Sequence, residues 1–450
     1  MKKLTAPIKA GYSFAESGLF SVELLMRLYM LKFYTDVVGL SPSLAGAAAA
    51  IAVIWDAVTD PAMGMISDRT QFKSGKRRPY ILAGGILLCL FVIAMFNPPS
   101  LSSETGKFLY LMISYLTLNT GVTILSVPHA ALAGELTYDR NVRTGVFAWR
   151  LFSGNIGLLL GTLLPGFMLA RYAEKSTAYS YAAFGIALLV ITSALISWLS
   201  TRGFDKPASD SSAQKKFQFF SETKSVITNP GFRWLLPAYM VSYIGVSINS
   251  TLALYYYEYR LKLSTDETNL ILGIFIVVWS ISLLFWLWIS KKYGKKWPAF
   301  LGVALLGLMT IFAYPAFPAG SLAGPLAAAI AGGILVGSIL LLDSLVADIV
   351  DWDELITGDH REGLYFGFWK MGIKMSRAVA LALSGYMLSL AGFIPNTPPD
   401  DATAHNIALL FGPGVGSFFI AGALIFIFFP LTDKKHAEIQ KKLSEKKSET

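Results

Sequence analysis

Charge is what this sequence has least of. Asp, Glu, Lys and Arg make up 15% of its 450 residues, while 54% are hydrophobic; soluble domains carry about 25% charged residues. So thin a supply cannot cover a water-exposed surface, and the mean hydropathy of +0.54 places the chain in a bilayer. Cysteine is nearly missing as well. The single Cys89 lies in an apolar run, which excludes a disulfide framework and a thiolate metal site. The apolar runs are continuous and lack the alternation of barrel strands, which in lipid leaves helices.

What is present is a series of apolar stretches long enough to span about 30 Å of hydrocarbon. They fall near residues 14–37, 43–67, 80–97, 107–129, 146–171, 179–201, 233–258, 267–290, 298–314, 321–347, 364–392 and 407–430. They predict an all-α membrane protein with twelve transmembrane helices. "MKK" before an apolar stretch has the outline of a signal peptide. That stretch holds Glu16, Glu23 and Arg27 and lacks a small-residue cleavage pattern, so a retained helix is expected.

The net charge of +9 does not point to nucleic acid, because it is distributed topologically. With both termini inside, Lys107, Arg171, Lys175, Arg260 and Lys262 fall outside, and Arg27, Lys32, Arg150, Lys370, Lys374 and Arg377 fall within spans. The other basic residues lie in tails and even-numbered loops. This positive-inside bias predicts a multi-pass protein of the inner (plasma) membrane with cytoplasmic termini. The Lys-rich tail, 433–450, reads as a solvated end that brushes anionic lipid.

"KSGKRRPY" (Lys73 to Tyr80) returns as "KYGKKWPA" (Lys292 to Ala299), and Arg143 with Gly145 returns as Arg361 with Gly363 at nearly the same offset. Two matches in step predict a duplicated six-helix unit. An N-terminal bundle over 1–201 and a C-terminal bundle over 233–432 are then joined by a polar cytoplasmic linker, 202–232.

"IWDAVTDP" sets Asp56 and Asp60 in the second apolar stretch, where a mid-helix Asp costs about 2.5 to 3.5 kcal/mol on insertion scales. Asp56, Thr59 and Asp60 stand at i, i+3 and i+4 and share a helix face. Pro61 has no N–H to give the Ala57 carbonyl. Hard oxygens clustered in this way suit Na+, and the carboxylates can equally hold a proton. The structural alternative is that both acids pair with basic residues on neighbouring helices.

Arg27, Arg150, Lys370 and Lys374 lie too deep to snorkel together, whereas Lys32, nearer an end, is expected to snorkel. Each either pairs with Glu16, Glu23, Glu135 or Asp343 or faces a ligand. Together they predict a polar, net-positive cavity, in which Arg150 forks onto a carboxylate, a sulfonate or vicinal hydroxyls and Lys374 offers a rotatable point charge. Trp369, beside Lys370, is the candidate for stacking on a sugar ring. His129, after Pro128, reads as a structural hydrogen bonder rather than a proton carrier. "SDRTQFKSGKRRP" and "ADIVDWDELITGDHREG" sit at cytoplasmic helix junctions and predict a charge latch at an inner gate, drawn from Asp68, Arg69, Arg143, Asp348, Asp351, Arg361 and Glu362.

"YTDVVGLS", "IWDAVTDP", "GKRRP", "VPHAALAGELT", "VADIVDWDEL" and "REGLYFGFWKMGIK" together resemble the glycoside-pentoside-hexuronide:cation symporters, the melibiose permease family of the major facilitator superfamily. The likeness runs from about Gly11 to Phe393. It implies two pseudo-symmetric six-helix bundles, alternating access, and symport of a sugar-like solute with Na+, H+ or Li+. By position, Asp56, Thr59, Asp60 and Thr123 match the family's cation site, and Arg150 and Lys374 match basic residues of its sugar site.

The chain also departs from the pattern. The galactoside permeases carry sugar-binding carboxylates on helices 1 and 4 and a stacking Trp on helix 4; here stand Phe20, Ser126 and Ala130. The expected solute-side set is Phe20, Glu23, Arg27, Ser126, Arg150, Trp369, Lys370 and Lys374. Fewer acids and more bases suit an acidic glycoside, a uronate or a sulfonated sugar, with neutral glycosides or anionic lysolipids as alternatives. No cofactor beyond the coupling cation is expected, and the partners are solute, cation and lipid, for a monomer. A rival reading takes D-x-x-x-D as half of a Mg-dependent intramembrane prenyltransferase, but "DIVDWDE" (Asp348 to Glu354) lies near a cytoplasmic end rather than facing it at the midplane.

Overall fold

The structure, a computed structural model, describes residues 4–70, 72, 75–137, 140–204, 225–358 and 361–449. Most of the expected linker, residues 205–224, and the side chains of Glu135 and Arg143 lie outside the described set.

Every apolar stretch named above is helical. The first comprises α1 (Ala6–Ser13), α2 (Ala15–Leu25), a π turn π1 (Met26–Met30) and α3 (Leu31–Asp36). Then follow α4 (Pro42–Arg69), α5 (Arg78–Met95), α6 (Glu104–Glu135), α7 (Arg140–Arg171) and α8 (Lys175–Ser200). Beyond the linker come α9 (Phe232–Tyr255) with π2 (Tyr256–Arg260), α10 (Thr265–Tyr293), α11 (Lys296–Ala316), α12 (Ala323–Val336), α13 (Ile339–Thr357) and α14 (Glu362–Leu390). The last apolar stretch is α15 (Asp401–Leu409), π3 (Leu410–Gly414) and α16 (Val415–Ile427), and the tail forms α17 (Asp433–Glu449).

Among the described residues, nine helices are long and apolar enough to cross a membrane, counting α12 with α13 as one and α15, π3 and α16 as one. Of the other expected spans, the first is interrupted by π1, the seventh ends in π2, and α14 holds Lys370, Lys374 and Arg377.

By internal contacts the chain divides into two units. One is Met1–Ser211 with Ser250–Gly273 and Leu381–Thr403; the other is Ser212–Asn249 with Ile274–Ala380 and Ala404–Thr450. Segments 250–273 and 381–403, from beyond the linker, thus pack with the N-terminal helices.

Within the first unit, glycines let backbones meet. A Cβ on Gly157 or Gly161 of α7 would lie 2.4 or 2.5 Å from the carbonyl oxygens of Ser17 and Ser21 on α2. A Cβ on Gly84 of α5 would meet the Leu125 nitrogen of α6 at 2.5 Å. Between α4 and α14, a Cβ on Gly46 would lie 2.5 Å from the Leu381 oxygen, and one on Gly385 2.1 Å from the Pro42 oxygen. Small residues at such crossings replace the hydrophobic driving force that lipid removes.

The repeated basic motif has a repeated geometry. Gly75 and Gly294 both adopt positive φ, 109° and 77°, which favours glycine. Just after them, the Arg78 guanidinium donates to the Trp198 carbonyl at 2.7 Å and the Lys296 ammonium to the Phe429 carbonyl at 2.5 Å. In each unit a basic side chain thus satisfies a carbonyl near a helix C-terminus. The tail is not merely solvated: Asp433 accepts the Lys295 backbone N–H at 3.0 Å, and His436 lies 2.9 Å from Asp351.

Candidate functional site

Helix α4 presents Asp56, Thr59 and Asp60 on one face, as the spacing predicts, and α6 brings Thr123 to them. The Thr123 hydroxyl donates to Asp60 Oδ1 at 2.7 Å and lies 3.3 Å from Asp56 Oδ1, with Thr59 Oγ1 3.4 Å away. Register is held on either side. Asn119 donates to the Ala52 carbonyl at 2.8 Å, and the Trp55 indole donates to Thr120 at 3.1 Å. Asp56 and Asp60 are half-buried, whereas Thr123 is only 2% exposed. Two carboxylates and two hydroxyls from two helices make a compact nest of hard oxygens, the donor chemistry a small alkali cation takes.

The basic residues of the first unit lie beside carboxylates. Arg150 on α7 places Nε 2.6 Å and Nη2 2.5 Å from Glu16 Oε1 on α2, where the close α2–α7 crossing sets them together. Arg27 donates to Glu23 at 2.8 Å, one helical turn away. Phe20 and Ser126 are half-buried in the same unit. The expected net-positive character is therefore reduced, since Glu16 and Glu23 sit against two of its bases.

Lys32 differs from expectation. It does not snorkel: it is 5% exposed and lies 2.8 Å from Asp36 and 3.0 Å from Glu258. Its ammonium sits over the Tyr255 and Tyr259 rings, 4.8 and 4.0 Å from their centroids. Tyr259 donates to Asp36, Thr35 donates to Asp36 at 2.8 Å, and Lys175 donates to Glu258 at 3.0 Å. Two carboxylates and an aromatic wall hold the ammonium inside because together they replace its hydration. The cluster borders a cavity of about 500 Å3 that is also lined by Arg171, Tyr172 and Asn269.

Sequence reasoning missed Asp36, Glu258 and Tyr259 as the partners of Lys32, although a signal was there. Tyr34-x-Asp36 precedes Leu40-Ser41 as Tyr256-x-Glu258 precedes Leu263-Ser264, so the two acids stand in similar short patterns.

In the second unit, Trp369 is 3% exposed. Its indole N–H donates to Asp343 at 2.6 Å and its ring packs on Tyr239 at 4.1 Å between centroids, so it is engaged with protein here. Lys370 is exposed and Lys374 half-buried. The motifs expected at an inner gate close on their own units. Arg77 binds Asp68, while Arg69 is exposed. Lys295 holds Asp348 at 2.7 Å, His436 meets Asp351, and Arg361 forks onto Asp353 at 2.6 and 2.8 Å, with Glu362 exposed beside it. Among the described residues no three His, Cys, Asp or Glu side chains group as a metal site.

A helical fold of this kind is that of a membrane transporter of the major facilitator type. A solved D-xylose-proton symporter superposes with a TM-score of 0.69 over 94% of this chain and 97% of its own, at 15% identity. The profile of the MFS/sugar transport protein family matches residues 11–433, and the chain belongs to that family; it is a transporter, not an enzyme. An isoprimeverose transporter of Lactiplantibacillus pentosus is 23% identical, over 89% of this chain and 84% of its own. A sodium-dependent lysophosphatidylcholine symporter of Danio rerio is 24% identical, over 93% and 84%.

Proposed function

We propose that the chain is a symporter that couples entry of Na+ or H+ to uptake of a sugar-like solute. It works as a monomer in the inner membrane, with twelve spans in two six-helix halves and cytoplasmic termini. The observation that carries this reading is the convergence of Asp56, Thr59, Asp60 and Thr123 from two helices. Thr59 and Thr123 favour Na+, because a hydroxyl oxygen ligates a metal ion and adds little to proton binding.

The solute meets Arg150 and Lys374, and its class is acidic: a uronate, glycosyl uronide or sulfonated sugar. Arg150 already holds Glu16, so an anionic solute takes its fork by exchange rather than by filling a vacancy. The cation raises solute affinity, and by linkage the solute raises cation affinity by the same factor. Alternating access, which the resemblance implies, then exposes the loaded site to one face of the membrane and afterwards to the other.

The test is uptake into proteoliposomes under imposed Na+ or proton gradients, with methyl glucuronide, a neutral glycoside and a lysophospholipid as separate cargoes. Accumulation of the glucuronide driven by one cation gradient is expected. Accumulation of the neutral glycoside or the lysolipid in its place overturns the acidic class. Gradient-independent equilibration of every cargo overturns coupling.

A further inference from the structure

Glu16 and His129 form an arrangement short of one proton. His129 on α6 is fully buried, and its ring stacks on Tyr12 with centroids 4.3 Å apart and planes at 17°. Its Nε2 lies 2.9 Å from the Tyr12 carbonyl oxygen, which also accepts from Ser197 at 3.0 Å. A carbonyl only accepts, so Nε2 carries the hydrogen. In the neutral ring Nδ1 is then a bare lone pair. That atom has no hydrogen bond and lies 3.4 Å from Glu16 Oε1, so an acceptor faces an acceptor inside the bundle, an arrangement that costs free energy.

The groups around this pair come from five helices: Tyr12 from α1, Glu16 from α2, His129 from α6, Arg150 from α7, and the uncharged Ser197, on the Tyr12 carbonyl, from α8. With Glu16 ionised and Arg150 charged, a neutral His129 leaves the cluster at zero net charge. One added proton relieves the facing lone pairs and leaves it one positive charge in excess. That excess is cancelled when an anion reaches Arg150.

We propose that Glu16 and His129 form a proton-binding site, separate from the Asp56–Asp60–Thr123 nest, whose occupancy is linked through Arg150 to the binding of an anionic group. The proton site stands on its own geometry. Only its link to solute rests on the function proposed above. When an anion takes the Arg150 fork, Glu16 turns to a protonated His129 as its counter-charge, and proton and anion load together.

The test is 15N NMR of histidine-labelled protein in lipid nanodiscs, in a background where His360, His405 and His436 are replaced by Gln so that only His129 reports. In mildly acidic buffer both ring nitrogens are expected to carry protons, whereas under the same conditions Glu16→Gln leaves Nδ1 bare. Arg150→Gln, which makes the ring the sole counter-charge of Glu16, keeps both protons to a higher pH. Where Glu16→Gln does not fold, the double variant Glu16→Gln/Arg150→Gln, lacking both charges, makes the same comparison. A bare Nδ1 with Glu16 present, or the same titration with and without it, overturns the proton site. A titration unmoved by Arg150→Gln overturns the linkage. None of these readouts involves transport, so failure of cation coupling at Asp56 and Asp60 leaves them intact.

Discussion

Two acid clusters within one unit have been handled in opposite ways. Around Lys32, Asp36 and Glu258 share a buried ammonium under aromatic rings. Around Thr123, Asp56 and Asp60 are half-buried and receive a neutral hydroxyl. The first cluster has its positive charge built in; the second is the one proposed above to receive a cation. The contrast is between two carboxylates buried against an ammonium and two that keep partial access beside hydroxyl groups.

The contrast is broken most directly at the second cluster. Asp60→Asn, and separately Asp56→Asn, are expected to abolish gradient-driven accumulation in proteoliposomes while the thermal midpoint of the purified protein moves little. Full accumulation by both variants removes the cation assignment.

At the first cluster the expectation reverses. Lys32→Met strands two buried carboxylates and is expected to cost about 3 to 5 kcal/mol of stability, read as a large fall in the unfolding midpoint. Lys32→Met/Asp36→Asn/Glu258→Gln, neutral throughout, recovers most of that loss, and a triple variant as unstable as the single one shows that the charges are not what matters. Thr123→Val sharpens the comparison by removing only the hydroxyl, for about tenfold weaker coupling-cation affinity from the loss of one polar contact; isothermal titration with NaCl reads it. The smallest effect belongs to Lys262→Ala. Its 3.8 Å pair with Asp401 is exposed on both sides and contributes within about 0.5 kcal/mol, so a measurable melting shift there contradicts the ranking.

Helix positions were legible because membrane burial writes itself as apolar length. The nest at Asp56, Thr59 and Asp60 was legible because i, i+3 and i+4 share a face. Thr123 was reachable only through family likeness, since 63 residues separate it from Asp60 and no local pattern carries that contact. The same limit hid the partners of Arg150 and Lys32: Glu16 lies 134 residues from Arg150, and Glu258 belongs to a segment beyond the linker. Hydropathy treated Lys32 as a base near a helix end, because only the folded bundle shows that a second acid arrives from π2.

Gly46 and Gly385 have one more consequence. Where α4 and α14 touch, main chain rests on main chain with no side chain between. A methyl group at either position, Gly46→Ala or Gly385→Ala, would meet backbone rather than the end of a flexible side chain, so the two helices must move apart to admit it.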